Sequence, residues 1–182
     1  MLYIMRHGKT EWNELQKLQG RTDIPLSDAG RAMARQAQEE YRELHFDICY
    51  TSPLLRARET AEILLEGRQI PIVTDERLVE MSFGSFEGVQ NYWGTPDSPI
   101  RFLFQHPEMY TESVGGAETF AELFQRTGAF LEEVVQPRLE RGEDVLIVAH
   151  GATNCSIISA IRSLPIEQFW SAGVEQCKIL AL

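Results

Sequence analysis

An α/β sandwich around a mostly parallel sheet is the fold this sequence predicts, and three observations predict it. Short apolar runs of strand length recur at 2–5, 46–50 and 145–149. Stretches with helical patterning separate them, the alternation that produces parallel sheets. Each run also ends in a polar cluster: Arg6-His7-Gly8, Thr51-Ser52-Pro53-Leu54-Leu55-Arg56 and His150-Gly151. Open α/β sheets bind ligands beyond the carboxyl ends of their strands, so these clusters are expected to converge on one edge.

The elements follow in order. Residues 2–5 read as a short buried strand. Ser27 suits the N-cap of a helix running to about residue 44, with Ala32, Ala34 and Ala37 favouring helix and Tyr41 and Leu44 giving apolar contacts. Residues 46–50 form a second strand. Ser52-Pro53 then opens a helix with proline at its first position and Gly67 near its end. Residues 70–73 form a third strand. The stretch 83–116 breaks this rhythm: Pro96, Pro99 and Pro107, several glycines and the aromatics Tyr92, Trp93, Phe102, Phe104 and Tyr110 follow no period. It reads as an inserted excursion. An amphipathic helix is expected over 118–135, where Phe120, Leu123, Phe124, Thr127, Phe130, Leu131 and Val134 recur at threes and fours. A buried strand at 145–149, a helix at 152–164 and a last strand at 176–182 complete the chain.

Composition narrows the function. At 182 residues the chain suits one compact domain with a sizeable core. No apolar stretch is long enough to span a bilayer, and Arg6 and His7 interrupt the first one too early for a signal peptide, so a cytoplasmic location is expected. A net charge of −10 argues against nucleic acid or an anionic membrane as a partner. It leaves a phosphorylated small molecule open, because a few pocket arginines hold phosphate on an otherwise acidic protein. Cys49, Cys155 and Cys177 sit in apolar settings without CxxC spacing, which suits buried free thiols.

Two histidines, His7 and His150, each end a strand and each precede a glycine, which lets a backbone turn sharply beside a ligand. Exposed amides at a helix start favour an anion there. His45 and His106 lie elsewhere and read as surface residues. Arg6 follows an apolar run, a poor place for an unpaired charge. Arg56 falls in the first turn of its helix; alone it would equally suit a solvated helix face, but beside two His-Gly pairs its guanidinium fits phosphate. Phosphoryl transfer asks for a nucleophile in line, positive charge around the equatorial oxygens and an acid for the leaving group. Glu80, within Leu78-Val79-Glu80-Met81, is a carboxyl in an apolar context that favours its acid form, or else a salt-bridged loop residue.

Further residues carry a resemblance. Arg6-His7-Gly8-Lys9-Thr10-Glu11-Trp12-Asn13 is followed by Gln19-Gly20, Pro25-Leu26-Ser27-Asp28-Ala29-Gly30 and Thr51-Ser52-Pro53-Leu54 with Arg56-Ala57 and Thr60-Ala61. Glu80, Gly84, Glu87-Gly88, Gly116-Ala117-Glu118 and His150-Gly151 come next. No three-residue piece is specific alone; their order along nearly the whole chain is. The sequence resembles the histidine phosphatase superfamily, also called phosphoglycerate mutase-like. That resemblance implies a three-layer α/β/α sandwich with a small cap insertion at 83–116 that shapes the leaving-group pocket. It implies that His7 becomes phosphohistidine, that Arg6, Arg56 and His150 complete the phosphate pocket, and that Glu80 donates the proton. Gly8, Thr10, Asn13, Gln19, Gly20, Gly151 and Ala152 are the implied substrate contacts. No metal and no organic cofactor are implied; the oligomeric state stays open.

Members resembling cofactor-dependent phosphoglycerate mutases carry Arg after the acid Glu and Tyr two positions later, which hold a substrate carboxylate. Met81 and Phe83 occupy those positions here. The expectation is therefore hydrolysis of a small phosphomonoester, with α-ribazole phosphate and sugar phosphates among the candidates. Mutase-type transfer and non-catalytic phosphoester binding are the alternatives. The cap aromatics would line the leaving-group pocket or form the cap's own core.

Overall fold

A computed structural model of the chain describes residues 1–91 and 97–182. Tyr92, Trp93 and Pro96 thus lie outside the described residues. Five strands form one sheet in the order β3-β2-β4-β1-β5: β1 (Leu2–Arg6), β2 (Ile48–Thr51), β3 (Ile72–Thr74), β4 (Val145–Ala149) and β5 (Ile179–Ala181). Strands β1 to β4 run parallel; β5 alone is antiparallel, pairing Met5 with Ile179.

The side-chain alternation of the strands sorts the core into two layers. Leu2, Ile4, Ile48, Tyr50, Val145 and Ile147 face one layer, and Met5, Cys49, Leu146 and Val148 face the other. The second layer is closed by α2 (Asp28–Glu40), through Ala34 and Ala37, and by α3 (Leu55–Leu64), through Ala61 and Leu64. The first is closed by α5 (Phe120–Phe130) and α7 (Gly151–Arg162), with Phe169 between them. Helices on both faces of a mostly parallel sheet make the three-layer α/β/α sandwich that was expected. The short α1 (Glu11–Glu14) follows β1, and α4 (Arg101–Gln105) lies in the 83–116 stretch. In that stretch Ile100, Leu103 and Tyr110 join the first core layer, so much of its apolar content packs inward.

Most boundaries shift by a residue or two, and four differ in ways that bear on the fold. Ser27 caps α2 as predicted, its hydroxyl accepting the Gly30 N–H, but the helix stops at Glu40 rather than near 44. Pro53 is not the first residue of α3: the Ser52 hydroxyl takes the Leu54 N–H and the Asp23 carboxylate takes the Leu55 N–H, starting the helix two residues later. The amphipathic helix does not end at 135. A π turn (Leu131–Val135), in which the Gln136 N–H reaches the Leu131 carbonyl, leads into α6 (Gln136–Glu140). The wider turn spaces the carbonyls that Pro137, lacking an N–H, would otherwise crowd, so helical direction survives the proline. The last strand is Ile179–Ala181 only, because Cys177 adopts a left-handed backbone just before it. All three cysteines are buried and free.

Candidate active site

Strands β1 and β4 are hydrogen-bonded neighbours in parallel register, Arg6 opposite Ala149, so their carboxyl ends arrive side by side. The His7 N–H extends the ladder to the Ala149 carbonyl at 3.0 Å. This sets the rings of His7 and His150 5.1 Å apart, centre to centre. From the other side of β4, β2 delivers α3, and Arg56 in its first turn reaches the same place. The three polar clusters do converge on one edge.

The His7 ring is held in a defined tautomer. Its Nδ1 lies 2.7 Å from the Gly8 carbonyl, which can only accept, so Nδ1 carries the proton. Nε2 accepts from the Arg56 Nε–H at 3.3 Å and is therefore the unprotonated nitrogen. Burial, then the positive charges of Arg56 and Arg6, hold the His7 imidazole neutral well below its ordinary range. Burial and the same arginines, with His7, do likewise for His150. Both ring nitrogens of His150 and the Arg6 Nε are buried without a partner among the described residues. Buried polar groups are rarely left so, and donors clustered at one point suit an anion's oxygens.

Arg56 is 1% exposed and clamped by carbonyls, its two terminal nitrogens donating to Thr22 O at 2.9 Å and Gly20 O at 2.6 Å. Burial pulls its guanidinium down to about 10, opposed by the carboxylates of Glu80, Asp23 and Glu87. It remains a cation at neutral pH. The loop that clamps it is tied in turn by Glu87, whose carboxylate accepts the N–H groups of Arg21, Thr22 and Phe83 and the Thr22 hydroxyl. Gly20 is required there: its φ is +59°, and a Cβ would lie 2.1 Å from the Glu87 carboxylate.

Glu80 faces the same cavity, though not from an apolar pocket as expected. Its Oε1 accepts the N–H groups of Met81 and Thr153 at 2.9 and 3.1 Å, and its Oε2 accepts the Ala152 N–H at 3.2 Å. The first turn of α7, straight after His150, supplies two of these donors.

The cavity has a volume of about 430 Å³. Arg6, His7, Arg56, Glu80, Asn13, Gln19, Gly151 and Ala152 all line it. His150 sits behind them with no exposed surface. Gly8, Thr10 and Gly20 stand one step back. Gly8 donates its N–H to the Thr60 hydroxyl and gives its carbonyl to His7. Thr10 caps α1 and donates to Gln19 Oε1 at 2.7 Å. Asn13 Oδ1 accepts from Thr10 N and Gln176 Nε2, which turns its amide nitrogen the other way.

Sequence reasoning found only part of the outer wall: it offered Phe104 as a possible pocket liner, but gave Phe83 and Trp170 no such place. Phe83, Phe104 and Trp170 form a run of touching rings, the last two stacked at 5.4 Å, and the Trp170 N–H is fixed on the Leu103 carbonyl. Gln16 and Lys17 form a polar lip, and Cys155, whose thiol burial pushes up to about 12, is a neutral part of the floor. Trp170 lies in a 3₁₀ segment (Ile166–Ala172) just before two further liners, Gly173 and Val174, and no motif announces any of them. Glu87 was visible only as part of an ordered motif, with no role attached. Among the described residues, no group of three or more His, Cys, Asp or Glu is placed to hold a metal ion. None of their helices is long and apolar enough to cross a membrane.

Comparison with known proteins matches residues 2–182 to the family model for the histidine phosphatase superfamily, branch 1. The chain is 36% identical over 159 residues to the uncharacterized phosphatase PhoE of Bacillus subtilis, covering 87% of this chain and 75% of that one. It is 36% identical over 153 residues to a 2,3-bisphosphoglycerate-dependent phosphoglycerate mutase of Cytophaga hutchinsonii, covering 83% and 72%. The solved structure of Bacillus stearothermophilus YhfR superposes with a TM-score of 0.84 at 35% identity, covering 98% of this chain and 88% of that one.

Proposed function

Because the chain belongs to the histidine phosphatase superfamily (branch 1), we propose that it hydrolyses a small phosphorylated metabolite through a phosphohistidine at His7, without a metal ion. The observation that carries this reading is the state of the His7 ring, with Nδ1–H spent on the Gly8 carbonyl and the Nε2 lone pair turned toward Arg56. A neutral imidazole so fixed attacks phosphorus through Nε2. The guanidinium groups of Arg6 and Arg56 and the imidazole of His150 take the equatorial oxygens, where charge accumulates. Glu80 protonates the leaving oxygen as its bond to phosphorus breaks. The resulting carboxylate then takes a proton from the water that attacks phosphohistidine, restoring both groups.

Hydrolysis is favoured over transfer by the two positions beside Glu80. Met81 and Phe83 are buried and apolar, so neither grips a small acid while it turns over for a second phosphorylation. The 83–116 stretch acts as the cap: Phe83 and Phe104, with Trp170, suit a leaving group with an apolar face, and Gln16 and Lys17 suit a polar edge. Kinship with a mutase favours a second reading, phosphoryl transfer between positions of one substrate.

Turnover of p-nitrophenyl phosphate with and without chelator tests the first reading, alongside rapid-quench trapping of labelled phosphoenzyme. The expected result is chelator-insensitive turnover with an acid-labile, base-stable phosphoenzyme that His7→Ala abolishes. Activity surviving that substitution refutes the mechanism. Isomerisation of 3-phosphoglycerate, primed with bisphosphate, outpacing phosphate release would instead establish the mutase reading.

A further inference from the structure

We infer that Thr153 is a positioning residue for the proton donor, turning the Glu80 carboxyl so that Oε2 rather than Oε1 carries the proton to the leaving group. The inference rests on the reading of Glu80 as the acid and goes beyond it by assigning the atom and the residue that fixes it.

The two carboxyl oxygens of Glu80 are not equivalent. An sp² oxygen has two in-plane lone pairs. On Oε1 both are engaged by main-chain donors, the N–H groups of Met81 at 2.9 Å and Thr153 at 3.1 Å. The Thr153 hydroxyl adds a third contact at 3.2 Å while donating to the Val79 carbonyl at 2.7 Å, a three-centre arrangement. On Oε2 the Ala152 N–H, at 3.2 Å, engages one lone pair and leaves the other. A proton on Oε1 would evict a buried main-chain donor; a proton on Oε2 evicts nothing. Oε2 is also the oxygen on the phosphate side. A Cβ built on Gly151, which lines the cavity, would lie 3.6 Å from Oε2 and 3.7 Å from the Arg6 guanidinium carbon.

Thr153 is what makes this asymmetry persist. Its N–H and hydroxyl address Oε1, and its hydroxyl also holds the carbonyl of Val79, the residue before Glu80. One side chain on α7 therefore pins both the backbone and the carboxyl of the donor. In the phosphorylation step the O–H bond of Oε2 breaks, its proton goes to the leaving oxygen, and that oxygen keeps the electron pair of the broken P–O bond. The P–N bond forms at His7 Nε2. Nothing else is consumed.

A misplaced acid harms only a leaving group that needs one. The test is kcat/KM for p-nitrophenyl phosphate, a good leaving group, against ethyl phosphate, a poor one, in Glu80→Gln, Thr153→Val, Thr153→Ala and Thr153→Ser. Glu80→Gln is expected to lose far more with ethyl than with aryl phosphate. Thr153→Val should lose about tenfold or more on ethyl phosphate and little on the aryl ester, with Thr153→Ser restoring wild-type behaviour. Thr153→Ala gives the same reading should the valine variant not fold. If Glu80→Gln is selective but the Thr153 variants lower both substrates equally, or neither, the positioning role is refuted and Glu80 stands as acid. If Glu80→Gln shows no selectivity, the acid reading itself falls, and the inference with it.

Discussion

Replacing His150 by Asn removes one of two imidazoles that the fold keeps neutral, and the consequence is an altered acid limb of stability. His7 and His150 are 3% and 0% exposed and share the field of Arg6 and Arg56, so neither accepts a proton in the native state until the pH is far below the usual histidine range. In the unfolded chain both protonate near pH 6.5. The unfolded state therefore binds more protons than the native one below that point, and stability falls as the pH falls. A histidine that stays neutral in the fold contributes a loss of about 2 kcal/mol between pH 7.5 and 5.0, so the pair contributes about 4 kcal/mol. Both contributions are fully present above the unfolded value and vanish on the acid side. Urea unfolding at the two pH values, in phosphate-free buffer, reads this directly. Whatever the substitution does to stability at pH 7.5, the further loss on going to pH 5.0 should be smaller in His150→Asn by about 2 kcal/mol. Every other titrating group is common to both proteins and cancels. An identical pH dependence in the two proteins would mean that His150 is charged in the fold, and the account of a neutral histidine pair beside two arginines would fail.

Other outcomes follow from neighbouring features. Glu87→Gln presents an amide N–H₂ to the loop that clamps Arg56 and should raise the inhibition constant for inorganic phosphate about 5- to 150-fold, the effect of 1–3 kcal/mol; an unchanged constant in a folded variant refutes the loop's role. Trp170→Ala, opening the stacked wall, should cut kcat/KM for ring-bearing phosphate esters about tenfold and leave ethyl phosphate within about twofold. Equal losses on both would show that the wall is not a leaving-group surface. Phe169→Ala removes a fully buried ring that meets Phe120, Phe124 and Trp170 edge-on, and should cost about 3–5 kcal/mol in denaturant unfolding. A loss below 1 kcal/mol would indicate a cluster that collapses into the gap.

Much of the site could be read from the chain because it is built where strands end. Apolar periodicity locates β1 and β4 to within a residue, and the polar residues after them, His7 and His150, inherit their positions from the sheet. Arg56 was harder: the carbonyls of Gly20 and Thr22 that clamp it come from a loop with no period. The environment of Glu80 was misjudged for a related reason. Its sequence neighbours are apolar, but its spatial neighbours are main-chain N–H groups of α7, and side-chain letters carry no record of backbone donors. The apolar periodicity of 118–135 ends at Val135, and it carries no sign that a π turn would let helical direction pass Pro137 into α6. The outer wall combines Phe83, Phe104 and Trp170 through tertiary contact alone, which no local pattern encodes.

The strand order has a consequence for how the chain is made. β1 lies between β4 and β5, pairing Leu2 with Val145 and Met5 with Ile179. β1 therefore has no neighbour in the sheet until β4, far along the chain, has been made. Helices and the β2–β3 pair can organise locally, but the sheet closes only when β4 slots between β1 and β2, a contact of long sequence separation that is slow to find. His7 meets His150 and Arg56 in that same event. A chain that stops before β4 carries His7, Arg56 and Glu80 but neither His150 nor the strand that brings them together, so the site assembles only once β4 has joined the sheet.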